Sequence, residues 1–241
     1  MLALEWVAAY RFVDIAEPDV LREQLFANAN AAALKGTILL AHEGINLMLA
    51  GETRALQTWL DALQTDTRFA ALELKRHAAA SVPFGHLRVK VKPEIIRMNQ
   101  PQLRPAAARA PALSAATLAR WLAQGHDDEG RELALLDTRN AFEVDAGAFA
   151  GAIDWRLQRF SDFPAALAEH GEVLAGKTVV SYCTGGIRCE KAALWMLQAG
   201  IEHVHQLDGG ILSYFDKQAD APGWQGRCVV FDERESVAPQ A

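Results

Sequence analysis

Apolar residues recur along this chain at two spacings. Leu4 to Phe12, Gly36 to Ala41 and Ile45 to Ala50 are short apolar runs of strand length, the last two meeting at the turn His42-Glu43-Gly44. Between and after them the period lengthens. Pro18 to Leu34 reads as a helix with Pro18 in its first turn, and Thr53 is the expected N-cap of a helix carrying Leu56, Trp59, Leu60 and Leu63. Leu72 to Lys75 and Leu87 to Lys92 supply two more strands. The order strand, helix, strand, strand, helix, strand predicts a ferredoxin-like α+β domain over residues 1–98.

A change of texture follows. Pro101, Pro105 and Pro111 in an alanine-rich stretch mark residues 99–113 as a linker. Ser114 is the expected N-cap of a helix with Leu118, Trp121 and Leu122 on one side, and LALLDTRN is a buried strand ending at Asp137, Arg139 and Asn140. Then come GAFAGAIDW, a short helix near Asp162 to Glu169, a strand at Lys177 to Tyr182, a helix at Glu190 to Ala199, a strand at Val204 to Leu207 and a helix after Gly209-Gly210. Strands alternating with helices predict a parallel-sheet α/β domain over residues 114–220, with 221–241 as a polar tail.

The chemistry concentrates at VVSYCTGGIRCEK. Cys183 stands at the carboxyl end of a strand, where reactive crevices of open α/β sheets lie, so the sulfur is expected to face an incoming ligand. Thr184, Gly185, Gly186, Ile187 and Arg188 can wrap it with backbone N–H groups, the glycines permitting positive φ. Those donors, the helix amino end and the Arg188 guanidinium favour a thiolate. Cys189 is a candidate resolving thiol or a small helix-start residue, and Cys228 reads as strand core. Lys191 reads as a solvated lysine with RNA phosphate as its functional alternative. Trp6, Tyr10 and Phe12 read as core, or as base-stacking groups if exposed. With no CxxC and scattered histidines, no metal site is expected.

Composition narrows the setting. The 241 residues, 51% hydrophobic and 22% charged, describe a globular protein with material for two cores. Glu5 and Arg11 interrupt the amino-terminal apolar stretch, no run has membrane-spanning length, and three cysteines make no secreted disulfide framework, so the cytoplasm is the expected compartment. The net charge of −6 hides a segregation. Between residues 75 and 109, Lys75, Arg76, Arg88, Lys90, Lys92, Arg97, Arg104 and Arg109 face Glu94 alone. This basic strip is either a solvated surface or a track for an anionic backbone, with Lys75, Arg76, Arg88, Lys90, Lys92 and Arg97 as the RNA-binding candidates.

DTRNAFEVDAGAFAGAI followed by SYCTGGIRCEKAALWMLQAGIEHVHQLDGGI resembles a rhodanese domain, whose six-residue loop, here Cys183 to Arg188, suits a persulfide. Together with KGTILLAHEGINLMLAG and the final GRCVVFDER, the whole chain resembles the bacterial oxygen-dependent tRNA uridine(34) hydroxylases, which form 5-hydroxyuridine at the wobble position. The resemblance implies an acylphosphatase-like first domain that binds the tRNA anticodon arm. It places the essential cysteine at Cys183, the loop at Thr184 to Arg188, and support at Asp137 and Arg139. Molecular oxygen is then a co-substrate, with no evident cofactor and no identified reductant. Two chemical routes are open: thiolate addition to uracil C6, which makes C5 nucleophilic, or an oxidised sulfur as oxygen carrier. Several relatives carry a cysteine-rich carboxyl-terminal extension that this sequence does not show, so any RNA or metal role of that extension is expected to be missing or to lie elsewhere. The family's GIN-G-T turn is here GINLM. A sulfurtransferase carrying a persulfide on Cys183 and a non-catalytic RNA- or partner-binding module stand as rival readings. The oligomeric state leaves no trace in the sequence.

Overall fold

The computed structural model describes residues 3–230 and 234–239, so Phe231, Asp232 and Glu233 of the final motif lie outside the described residues. The chain divides into two compact units, Met1–Arg97 and Met98–Ala241.

In the first unit, β1 (Leu4–Phe12), α1 (Pro18–Ala31), β2 (Lys35–Ala41), β3 (Gly44–Glu52), α2 (Thr53–Gln64), β4 (Lys75–Ala79) and β5 (Leu87–Val91) follow in order. The sheet runs β4-β1-β3-β2-β5, with β1, β2, β3 and β4 antiparallel to their neighbours and β5 added parallel to β2. Alternate residues Val7, Ala9, Ile38, Leu40, Ile45, Leu47 and Val89 meet Leu21 and Leu25 of α1 and Leu56, Trp59 and Leu60 of α2 in one core. Both helices therefore cover the same sheet face.

Three local expectations shift. Helix α1 stops at Ala31 and not at Leu34, because Ala33 turns to φ +53° and Leu34 N–H bonds back to Ala29. The cap of α2 is Glu52, whose carboxylate accepts from the amides of Arg54 (3.4 Å) and Ala55 (3.2 Å), leaving Thr53 as the first helical residue. The fourth strand begins where it was expected to end. Leu72 reaches the core from a turn, and Lys75–Ala79 pairs with Leu4–Ala8.

The second unit contains β6 (Ala112–Leu113), α3 (Ala115–Gln124), β7 (Leu133–Asp137), α4 (Ala141–Ala146), β8 (Gly147–Phe149), β9 (Ile153–Asp154), α5 (Phe163–His170), β10 (Thr178–Tyr182), α6 (Ile187–Gln198), β11 (Val204–Leu207), α7 (Gly210–Lys217), β12 (Trp224–Gly226), β13 (Cys228–Val229) and β14 (Ser236–Val237). Its main sheet has the order β6-β11-β10-β7-β9 and is parallel throughout. Ser114 caps α3 as expected, accepting from Thr117 N–H at 3.1 Å. The segment expected as linker ends in β6, paired with β11, and the segment expected as a tail contributes β12, paired with β8. Both belong to this unit's body. Among the described residues, no helix is long and apolar enough to cross a membrane.

Candidate active site

Central strand β10 delivers the chain to Cys183, and Gly186, at φ +97°, turns it into α6. A left-handed residue here costs nothing only for glycine. The turn aims Gly186 N–H at Cys183 Sγ (3.1 Å), and Arg188 N–H points at the same sulfur. The loop's carbonyls are tied off on the other side, where the amides of Ile211 and Leu212 in α7 donate to the oxygens of Cys183 (3.0 Å) and Thr184 (3.1 Å). Gly210 sits beneath this junction at φ +67°, so close that a Cβ would lie 2.4 Å from the Cys183 oxygen.

The electrostatics favour one charge on the thiol pair. Burial opposes ionisation of Cys183, but the Cys189 thiol, the Arg188 cation and the two amides outweigh it and hold Cys183 well below the usual thiol range. Burial and the neighbouring sulfur push Cys189 well above that range. Cys183 is therefore the thiolate and Cys189 keeps the proton. Thr138 Oγ1 donates to the Tyr182 carbonyl (2.9 Å) and stands 3.7 Å from Cys189 Sγ.

The expectation that this sulfur faces solvent is corrected: Cys183 has 0% exposure, as do Cys189 and Cys228. The loop is buried with it, only Gly185 and Ile187 being half-buried.

The Arg188 guanidinium is already occupied by a carboxylate. It donates to both oxygens of Glu143 (2.6 and 2.8 Å), and neither side chain is more than 7% exposed. Burial lowers the pKa of Arg188, yet Glu143 more than compensates and raises it. Glu143 also accepts from Thr184 Oγ1 (3.3 Å) and from Asn140 N–H (3.1 Å). One carboxylate thus fastens the loop to the start of α4. Sequence reasoning missed Glu143, although its spacing from Asn140 is that of a helix capping box.

Asp137 and Arg139 form a second buried pair, with contacts of 2.6 to 3.1 Å and 0% side-chain exposure on both. Arg139 also donates to the carbonyls of Glu143 (3.3 Å) and Gly147 (2.7 Å) and lies over the rings of Tyr182 and Trp224. The pair supports the loop's surroundings and does not touch the sulfur. Cys228 stands 3.9 Å from Thr184 Oγ1, with its thiol pushed up to about 11 by burial. Lys191, expected in solvent, is fully buried, and its neighbour Glu190 is held by Arg109 (3.0 Å) and Gln206 (3.1 Å).

The basic strip does not stay together. Lys75 and Arg76 lie on β4 at one sheet edge, whereas Arg88, Lys90 and Lys92 lie on or just past β5 at the opposite edge, with Arg97 farther along. Arg76 is neutralised by Glu5 (2.7 and 2.8 Å) and also bonds Gln57. Trp6 is buried against His77, ring centroids 4.5 Å apart, and Tyr10 and Phe12 are half-buried.

A cysteine loop at the end of the central parallel strand, fastened by an Asp-x-Arg strand end and a Glu on the next helix, defines a rhodanese-type domain, here preceded by an α+β unit. The rhodanese-like domain model matches residues 115–217, and the UPF0176 acylphosphatase-like domain model matches residues 4–95. The chain is 58% identical to the tRNA uridine(34) hydroxylase of Bordetella pertussis over 100% of both chains, and 57% identical to that of Delftia acidovorans, covering 96% of this chain and 88% of the relative. It belongs to the tRNA uridine(34) hydroxylase family. Among solved structures, the rhodanese-like domain from Anabaena is 20% identical with a TM-score of 0.38, covering 48% of this chain and 79% of that one.

Proposed function

We propose that this protein is a hydroxylase that installs oxygen at C5 of uridine 34 in tRNA, with Cys183 as its catalytic nucleophile and the anticodon arm as the part of the tRNA it engages. The observation that carries the assignment of the residue is the donor shell on Cys183 Sγ, which stabilises a thiolate in a chain whose family is named for this reaction. C6 of uracil is the electrophilic carbon. Addition of the thiolate forms an Sγ–C6 bond and moves the C5–C6 π pair onto the C4 carbonyl as an enolate, which makes C5 the nucleophile toward an electrophilic oxygen. After oxygen transfer, loss of the C5 proton and departure of the thiolate restore the ring. With molecular oxygen as co-substrate, one atom enters the base and the other leaves as water. That balance takes two electrons and two protons from an external donor. The base must leave its stack to reach a buried sulfur, which a single-stranded loop permits at small cost.

The test is nucleoside analysis of tRNA from cells lacking the native copy and carrying either wild type or Cys183→Ser. Only wild type is expected to yield 5-hydroxyuridine. Equal yields from both would remove Cys183 from the reaction.

A further inference from the structure

Strand β5 closes one edge of the first unit's sheet, and its residues alternate strictly. Val89 turns into the core beneath α1, while His86, Arg88, Lys90 and Lys92 all point to the helix-free face and all are exposed. The register continues past the strand, since Lys92 N–H donates to the Leu40 carbonyl (2.8 Å), so Lys92 extends the row. Lys35 belongs with them. It opens β2, is exposed, and by the parallel pairing that sets Thr37 beside Arg88 and Gly36 beside Leu87 it falls next to His86 on the same face. Linear charge counting had no means of including it.

Among the described residues, Arg88, Lys90 and Lys92 make no ion pair, in contrast to Arg76 at the other edge, which Glu5 neutralises. Successive members are two strand residues apart, about 7 Å. Evenly spaced, uncompensated cations of this kind repel one another and add nothing to the fold, but they match a polyanion whose charges also recur at regular short steps. From this geometry we infer that the helix-free side of the β5 edge, formed by Arg88, Lys90 and Lys92 with Lys35 beside them, is a track for the phosphate backbone of the tRNA. The inference rests on the hydroxylase reading for the identity of the RNA, and its chemistry is that of phosphate contact without base readout.

A different role for edge-strand cations is to block pairing with the edge of another copy. The two roles separate experimentally. Binding of an unmodified tRNA transcript containing U34 is measured across a salt series for the full chain carrying Cys183→Ser and for the same chain with Arg88→Gln, Lys90→Gln and Lys92→Gln. A control carries Arg54→Gln, Arg120→Gln and Arg159→Gln, which removes the same charge elsewhere. Loss of three phosphate contacts is expected to weaken binding tens of fold at low salt and to reduce the slope of log affinity against log salt by about 2 to 3, with the control near the parent. Adding Lys35→Gln lowers the slope further. An unchanged slope with new self-association identifies the cations as edge protection and overturns the proposal, as does an equal loss in the control. Wild-type protein that binds tRNA through this edge but forms no 5-hydroxyuridine would reject the hydroxylase reading and leave the track standing.

Discussion

Replacing Glu143 with Gln tests the joint between the cysteine loop and the rest of its domain. The substitution keeps the shape and one carbonyl acceptor but removes the charge that faces Arg188, a guanidinium with 7% side-chain exposure. Stripping one partner from a buried ion pair costs about 3–5 kcal/mol, since the remaining charge stays desolvated without a counterion. At roughly 2–4 °C per kcal/mol for a unit of this size, the melting temperature should fall by about 10 °C. The signature is a second effect of opposite sense on the sulfur. With Glu143 neutral, the full field of Arg188 acts on Cys183, so its pKa should drop further even as the fold weakens. Denaturation by urea gives the first quantity and the pH dependence of iodoacetamide labelling gives the second. Replacing Arg188 with Met in the Glu143→Gln background should recover part of the lost stability. A variant as stable as wild type, or one whose Cys183 pKa rises, would refute the account of Glu143 as the counterion that sets this loop.

Other expectations follow from the same geometry. Gly210→Ala forces a methyl against the Cys183 and Thr184 carbonyls at a positive φ, and should cost stability and hydroxylation together, as read by thermal melts and nucleoside analysis. Cys189→Ala removes the thiol that donates to Cys183, so thiolate absorbance should appear at higher pH than in wild type. Cys228 holds its proton up to about 11 in the fold, against about 8.5 for a free thiol, so the folded state binds more protons across that window and its stability should fall as pH rises through it. Cys228→Val should flatten that dependence in denaturant titrations. Because the sulfur has 0% exposure, alkylation of Cys183 should be far slower than its thiolate fraction implies, and should accelerate in sub-denaturing urea.

The features that announced themselves in the sequence were local. The strand that ends at Cys183, the glycines that turn it and the period of α2 each depend on residues within a few positions. What escaped were consequences of pairing over distance. Glu143 is 45 residues from Arg188, and nothing near it in the chain says that its carboxylate closes the loop. The run from Lys75 to Lys92 looked continuous because charge was counted along a line, whereas β4 and β5 occupy opposite edges of the sheet. Ala112–Leu113 is too short to show a period and becomes a strand only because β11 offers an open edge. Burial of Cys183 and Lys191 was equally hidden, since both stand among residues whose types suit a surface turn.

Strand β12 has a bearing on how the protein matures. Trp224 lies over the Arg139 guanidinium and pairs, through its strand, with the segment after α4. During synthesis the helices and the sulfur-bearing turn leave the ribosome well before this strap does. Until it emerges, Arg139 lacks one wall of its chamber. The second unit should therefore reach its native compactness only once this strand is free to pair, and a nascent chain stalled ahead of Trp224 should be more protease-sensitive than the finished protein.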